Sequence, residues 1–230
     1  MEDIRSSGSI ARDNLTRSSS PDTRMDVLKS HRGTLRMRLG PVRSAKTTWM
    51  NIEITTLADQ GFSCLKIIHA ADDRPLAASN DESGSTYNST YKSLSSKVKY
   101  VRVSELRGVD VSAYHVVGID EAQFYPDLLE VVEDWVENKG LHILVSGLDG
   151  DFEKRRIGQT LDLIPLADEV VKLSGRCRLC LNELQDAGFH GNIMALAAPF
   201  SKNIGHSDEQ IQIGGDEIFV AVCRWHHSAK

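Results

Sequence analysis

The fold is decided by residues Gly40–Thr47, whose sequence is GPVRSAKT. This stretch follows a strand-like run, Thr34–Leu39, and opens a helix-like run, Thr47–Gln60. In the pattern G-x-x-x-x-G-K-[ST] at such a turn, backbone N–H groups surround phosphate oxygens, the lysine reaches the terminal phosphates, and the hydroxyl holds magnesium. The turn therefore predicts a site for nucleotide phosphates. Its candidate ligands are Gly40, Ser44, Lys46 and Thr47.

Ala45 departs from this pattern because it stands where the second glycine is expected. Alanine keeps its backbone N–H but adds a methyl group where the backbone approaches the phosphate closely. If that position needs a left-handed backbone, the conformational cost is about 1–2 kcal/mol. Taken alone, the turn also permits a second interpretation, a strand-to-helix connection that carries a solvated lysine.

A second segment, Gly118–Phe124, ends the hydrophobic run Tyr114–Ile119 in two adjacent carboxylates. Successive side chains on a strand face opposite ways, so the two carboxylates can do different jobs. Asp120 can hold magnesium through water, and Glu121 can accept a proton from an attacking hydroxyl. The alternative is an exposed acidic turn that caps the next helix, since acidic residues favour helix starts. Together with Lys46, the pair indicates nucleotide-dependent phosphoryl transfer.

Composition sets wider limits on function. The 230 residues, 40% of them apolar, can bury one substantial core, or one core and a small satellite. A net charge of -5 argues against a protein whose main function is to wrap nucleic acid. The sequence contains no apolar run of about eighteen residues and no apolar signal core near its start. We therefore expect a soluble, cytoplasmic protein with neither a membrane nor a nucleic-acid partner.

Strand-like and helix-like runs alternate between Thr34 and Lys172. The strand candidates are Thr34–Leu39, Cys64–His69, Tyr100–Val103, Tyr114–Ile119 and Leu141–Leu148, and the helix candidates are Thr47–Gln60 and Asp127–Lys139. This order favours an α/β fold, a P-loop core with a mostly parallel sheet flanked by helices. We expect three regions. They are a disordered Ser-rich tail (1–32), a nucleotide-binding domain (33–174) and a small cysteine-bearing region (175–230).

Two short motifs in the last region, CRLC at Cys177–Cys180 and CRWH at Cys223–His226, supply four soft metal ligands. Each pair forms a tight knuckle whose two side chains can meet one tetrahedral ion, and a closed set of four ligands predicts structural zinc. A C-x-x-C redox pair is the main alternative, although it leaves Cys223 and His226 without a role. His227 is a second candidate for the fourth ligand.

The order of these segments, followed by Gly147–Phe152, Pro165–Asp168 and Val171–Leu173, resembles the type II thymidine kinases. That family includes the cytosolic human enzyme and its viral and bacterial relatives, and the resemblance covers about Gly33 to His226. It implies transfer of the γ-phosphate of ATP to the 5′-hydroxyl of thymidine in nucleoside salvage for DNA synthesis. It further implies ATP, magnesium and structural zinc as cofactors, thymidine as the partner substrate, and a homotetramer.

The resemblance also assigns roles to individual residues. Glu121 corresponds to the catalytic base. The ATP, phosphate and magnesium ligands correspond to Gly40, Ser44, Lys46, Thr47, Arg74, Asp120 and Gln123. The nucleoside contacts correspond to Phe124, Leu148, Phe152, Ile211, Gln212, Ile213, Gly214 and Phe219, of which 211–214 belong to a lasso loop. The zinc ligands Cys177, Cys180, Cys223 and His226 pin the ends of this lasso, so that 175–230 becomes a zinc-binding lasso domain.

Three functions stay open at this point. The leading one is an active thymidine kinase, because the phosphate turn and both carboxylates are retained. The second is a catalytically degenerate homologue that acts as a structural or regulatory subunit. It is suggested by Ala45, Ala122 and Phe219, which stand where the family has two glycines and a tyrosine. The third is a P-loop ATPase with a zinc-ribbon nucleic-acid module, which the acidic charge disfavours.

Overall fold

A computed structural model describes residues 33–72, 97–188, 196–205 and 218–229. The predicted tail, 1–32, lies outside the described residues, as do Arg74 and the predicted lasso contacts at 211–214. The described residues belong to one compact unit. A boundary between a nucleotide-binding domain and a lasso domain at residue 175 stays a prediction.

The first part of the chain alternates strands with helices. Its elements are β1 (Thr34–Leu39), α1 (Lys46–Asp59), β2 (Cys64–His69), β3 (Val98–Val103), β4 (Val116–Ile119), a 3-10 turn (Ala122–Phe124), α2 (Leu128–Glu137) and β5 (His142–Gly147). The predicted bounds of β1 and β2 are confirmed, and those of the other predicted elements shift by one or two residues. The later elements are a 3-10 segment (Thr160–Leu166), β6 (Glu169–Lys172), β7 (Gly175–Arg176), α3 (Arg178–Asp186), β8 (Ala197–Ala198), β9 (Phe200–Asn203), β10 (Phe219–Val222) and α4 (Arg224–Ser228).

Six strands form one parallel sheet in the order β3-β2-β4-β5-β1-β6. This arrangement confirms the predicted α/β fold class. In a parallel sheet the carboxyl ends of all strands meet at one edge, where ligands bind. Both β1 and β4 are neighbours of β5, and Met37 and Ile119 are each paired with Val145. The phosphate turn after β1 and the carboxylates after β4 are therefore brought to the same edge.

Apolar side chains cover both faces of the sheet. On one face, Met50, Ile54 and Ala58 of α1 pack on Cys64 and Leu144. On the other face, the apolar stripe of α2 packs on the central strands; its buried members are Leu128, Val131, Val132, Trp135 and Val136. The helical spacing of that stripe is what made α2 predictable from sequence. The first of these two cores fixes α1, and with it the phosphate turn, against the sheet.

The C-terminal part adds two small antiparallel sheets, β9–β10 and β7–β8, around their own apolar cluster. That cluster contains Cys177, Ala198, Val220, Ala221 and Val222. Helices α3 and α4 each begin directly after a cysteine, Cys177 and Cys223 respectively. Among the residues that the structure describes, no helix combines the length and the apolar character needed to cross a membrane.

Candidate active site and metal centre

The phosphate turn has an unusual backbone. Ala45 has φ 64° and ψ 25°, and Arg43 has φ 56°, so both lie in the left-handed region. Ala45 therefore has the left-handed backbone that costs a residue other than glycine about 1–2 kcal/mol in conformational energy. Gly40 cannot carry a side chain, because a Cβ there would lie 2.7 Å from the carbonyl oxygen of Leu173. The turn therefore has a tightly wound backbone, with alanine in the left-handed conformation where the pattern has glycine.

Lys46 lies inside this turn. Its Nζ donates a hydrogen bond to the carbonyl oxygen of Pro41 at 2.6 Å, and Ser44 Oγ donates to the same oxygen at 2.9 Å. Burial lowers the pKa of Lys46, while the carboxylates of Glu121 and Asp120 act in the opposite direction. The ammonium is thus held at the centre of the turn, within the electrostatic reach of both carboxylates.

Asp120 is buried where β4 ends, and three side chains hold its carboxylate. Thr47 Oγ1 donates to Oδ1 at 3.1 Å, Ser146 Oγ also donates to Oδ1, and Lys66 Nζ lies 2.9 Å from Oδ2. Burial would raise the pKa of Asp120, but the Lys66 ammonium and the two hydroxyl donors hold it below its usual range. The contact between Thr47 and Asp120 joins the two segments that the sequence singled out.

Lys66 and its partner Asn51 are site residues that the sequence analysis missed. The Lys66 side chain is fully buried in β2, and its Nζ donates to Asn51 Oδ1 of α1 at 2.7 Å. The one available signal was a lone lysine within the apolar run Cys64–Ile68. Lysine is almost never fully buried unless it is paired, so a lysine inside a buried strand requires a buried acid, although the sequence does not identify which one.

Glu121 follows directly and also has a left-handed backbone, with φ 51° and ψ 48°. Such strain in a residue other than glycine is found preferentially at functional sites. Gln123 Nε2 donates to Glu121 Oε2 at 2.8 Å, and Gln123 Oε1 accepts a hydrogen bond from the backbone N–H of Leu148 at 2.9 Å. Three predicted site residues are therefore connected in one chain of hydrogen bonds.

The predicted nucleoside contacts are brought together in part. Phe152 and Phe219 stack with ring centroids 6.1 Å apart, and Phe124 lies with its ring 5.4 Å from that of His69. His227 Nε2 donates to the carbonyl oxygen of Phe152 at 2.8 Å, so the C-terminal helix supports the Phe152 segment. His227, one of the two histidines considered as metal ligands, therefore bonds the Phe152 backbone beside the Phe152–Phe219 pair.

His226 is the histidine that lies with the cysteines. Ligand atoms of Cys177, Cys180, Cys223 and His226 all lie within 4.8 Å of one another. Cys180 Sγ is 3.8 Å from Cys223 Sγ, and His226 Nδ1 is 3.3–3.4 Å from the three sulfurs. A tetrahedral ion with metal–sulfur bonds of about 2.3 Å separates its sulfur ligands by about 3.8 Å, so the cluster fits zinc.

A carboxylate that the sequence analysis did not predict supports this cluster from outside. Glu183 Oε1 lies 2.9 Å from His226 Nε2, the ring nitrogen that faces away from the sulfurs. Metal-ligating histidines commonly donate their second N–H to a carboxylate, which fixes the tautomer and orients the ring. Glu183 lies on α3, six residues after Cys177, and neither of the two ligand motifs in the sequence includes it.

Known proteins with similar sequences identify the family of this chain. The thymidine kinase family model matches residues 33–227. "Thymidine kinase, cytosolic" of Homo sapiens is 32% identical over 193 residues, which cover 84% of this chain and 72% of the relative. The Bos taurus protein of the same name is 31% identical over 195 residues, with 84% and 71% covered. "Thymidine kinase 1" of Dictyostelium discoideum is 30% identical over 192 residues, with 84% and 76% covered. The chain belongs to the thymidine kinase family.

Proposed function

We propose that this protein transfers the γ-phosphate of ATP to the 5′-hydroxyl of thymidine, in the cytosol, with Glu121 as the base. The observation that carries the proposal is the convergence of Lys46, Thr47, Asp120 and Glu121 at one edge of the sheet. The names of the relatives, which include two cytosolic thymidine kinases, support the substrate and the compartment.

The phosphate turn would bind ATP through its backbone N–H groups and Lys46. The Lys46 ammonium, held by the Pro41 carbonyl at 2.6 Å, would exchange this neutral partner for phosphate oxygens, a stronger charge-assisted contact. Thr47 and Asp120 would hold magnesium, which neutralises charge on the transferring phosphate. The depressed pKa of Asp120 supports that role, because a metal anchor must be ionised.

Glu121 would accept the proton of the 5′-hydroxyl as the oxygen attacks phosphorus. Strand β4, which ends at Ile119, delivers both carboxylates, and the left-handed turn at Glu121 separates the base from the metal anchor. Phe152 and Phe219 would pack against the thymine ring, with Phe124 and Leu148 as further contacts. The segment 211–214, which completes this pocket by family resemblance, lies outside the described residues.

Structural zinc and a homotetramer complete the proposal. Three thiol ligands and one imidazole form a closed set, so a zinc ion there would stabilise the C-terminal segment without touching substrate. The tetramer rests on family resemblance.

The test is a coupled phosphorylation assay with ATP, magnesium and thymidine, and with Glu121→Gln as the control. We expect the variant to lose about 10²- to 10⁴-fold in kcat, the usual contribution of a positioned base, while thymidine binding is retained. Unchanged turnover in Glu121→Gln would remove the residue from this role.

The degenerate subunit is the second candidate, and the strained Ala45 backbone is the observation that favours it. Folded, zinc-loaded protein that binds thymidine but phosphorylates no pyrimidine nucleoside would establish this alternative. Detectable turnover that disappears in Glu121→Gln would exclude it.

A further inference from the structure

The Gln123 side chain is held in a single orientation. It is 3% exposed, its Nε2 lies 2.8 Å from Glu121 Oε2, and its Oε1 lies 2.9 Å from the backbone nitrogen of Leu148. A backbone N–H can only donate, so the amide oxygen must face Leu148. The amide NH₂ group must then face the Glu121 carboxylate. The amide is therefore a directed link between a backbone donor and an acidic acceptor.

Two glycines leave the space that Gln123 occupies. A Cβ on Gly147 would lie 3.1 Å from Gln123 Oε1 and 3.0 Å from Thr160 Cγ2. A Cβ on Gly158, whose φ is +55°, would lie 2.2 Å from the carbonyl oxygen of Gln123. Gly147 thus leaves room for the Gln123 side chain, and Gly158 leaves room for its backbone.

Glu121 needs such a partner to act as a base. Its side chain has three rotatable bonds and starts from a strained backbone turn, while proton transfer demands a carboxylate oxygen within about 2.6–3.2 Å of the hydroxyl. A hydrogen bond to Oε2 selects one rotamer and leaves Oε1 for the substrate. The same amide accepts a hydrogen bond from Leu148, beside the expected thymine pocket, so it fixes the position of the Glu121 carboxylate relative to the bound nucleoside.

We propose that Gln123 is the positioning residue of the catalytic base, holding Glu121 in line with the nucleoside-binding segment rather than contacting ATP phosphates. This inference rests on the proposed function. It differs from the role that family resemblance implied for Gln123, a contact with ATP, phosphate or magnesium.

The experiment compares Gln123→Met with wild type in steady-state kinetics. Methionine has a similar length and no hydrogen-bonding amide, so we expect kcat to fall by about 10- to 100-fold, as for a slightly misplaced catalytic group. The KM values for ATP and thymidine should stay within about twofold, since the lost contact positions the base and does not bind substrate. A raised KM for ATP with an unchanged kcat would overturn the proposal and make Gln123 a phosphate ligand.

Gln159→Met is the matched control. Gln159 Oε1 also accepts a hydrogen bond from a backbone N–H, that of Leu129 at 2.9 Å, but Gln159 has no place in the proposed site. Its replacement should leave kcat unchanged. An equal loss of kcat in both variants would show a general structural effect and overturn the inference.

A double variant decides whether Gln123 acts through Glu121. If it does, adding Gln123→Met to Glu121→Gln should reduce kcat no further, because the base is already absent. A further loss of 10-fold or more would overturn the inference. If wild type does not phosphorylate thymidine, the proposed function fails. The inference is then decided by thermal unfolding of Glu121→Ala, Gln123→Met and their combination, where non-additive Tm shifts support the pair and additive shifts contradict it.

Discussion

Ala45 is the residue at which local conformation and sequence disagree most clearly. Its backbone is left-handed, a conformation that costs alanine about 1–2 kcal/mol and glycine almost nothing. Replacing Ala45 by glycine removes this cost, but glycine has greater conformational freedom in the unfolded chain, which offsets part of the stabilisation. We expect Ala45→Gly to raise the free energy of unfolding by about 0.5–1 kcal/mol in urea denaturation.

Ala122→Gly provides the matched comparison for this prediction. Ala122 is fully buried in a short 3-10 turn, outside the residues with positive φ. Glycine there loses packing and gains unfolded-state entropy, so this variant should be less stable than wild type. Stabilisation by both substitutions, or by neither, would contradict the conformational account of Ala45.

The ion pair between Lys66 and Asp120 gives a second prediction for single residues. Both side chains are buried, and their charged atoms lie 2.9 Å apart. Removing one partner leaves an uncompensated buried charge, so Lys66→Met should lower the free energy of unfolding by about 3–5 kcal/mol. Adding Asp120→Asn should restore much of this loss without restoring activity. A double variant as unstable as the sum of the two single variants would show that the pair does not interact.

Single residues also show how far sequence reasoning reaches. Lys46, Asp120 and Glu121 were predictable because each follows a strand in a recognisable order. Lys66 and Ser146 were not, although both contact Asp120. They lie on β2 and β5, the two neighbours of β4 in the sheet. The linear sequence does not give the order of the strands in the sheet, so these contacts could not be predicted.

At the scale of elements, the long strands and helices of the parallel sheet were predicted, and the short elements of the later part of the chain were missed. Strand β6 has only four residues and alternates half-buried with exposed positions at the sheet edge. Helix α3 has only nine residues and none of them is fully buried, so the apolar core holds it only through partly buried side chains such as Leu179. Its position depends instead on Cys177 and Cys180 at one end and on the contact between Glu183 and His226.

This dependence predicts that metal removal unfolds α3. We expect about one zinc per chain in purified protein, and loss of α3 helicity on chelation, because structural zinc contributes directly to folding. Cys177→Ser should lose the metal. Cys64→Ser is the control, since Cys64 is buried in β2 away from the cluster and its replacement should leave the zinc content unchanged. A metal-free protein with an intact α3 would refute the structural role.

At the scale of the whole molecule, the C-terminal segment contacts both halves of the proposed active site. Ser201 of β9 accepts a hydrogen bond from the Val42 backbone N–H in the phosphate turn at 3.1 Å. His227 of α4 donates to the Phe152 carbonyl beside the aromatic pair. Strands β9 and β10 are paired, and Cys223 follows β10 directly, so the metal cluster and the phosphate turn are mechanically connected.

This connection predicts that Ser201→Ala weakens ATP binding although Ser201 lies far along the chain from the turn. Ser201 is buried, and loss of its hydroxyl leaves the Val42 N–H without this partner, at a cost of about 1 kcal/mol, which corresponds to roughly fivefold in affinity. Titration calorimetry with ATP and magnesium measures the effect. Ser63→Ala is the control, because Ser63 Oγ bonds His115 before β2, at the opposite edge of the sheet. Equal ATP affinity in wild type and Ser201→Ala would show that the turn holds its shape without the C-terminal segment.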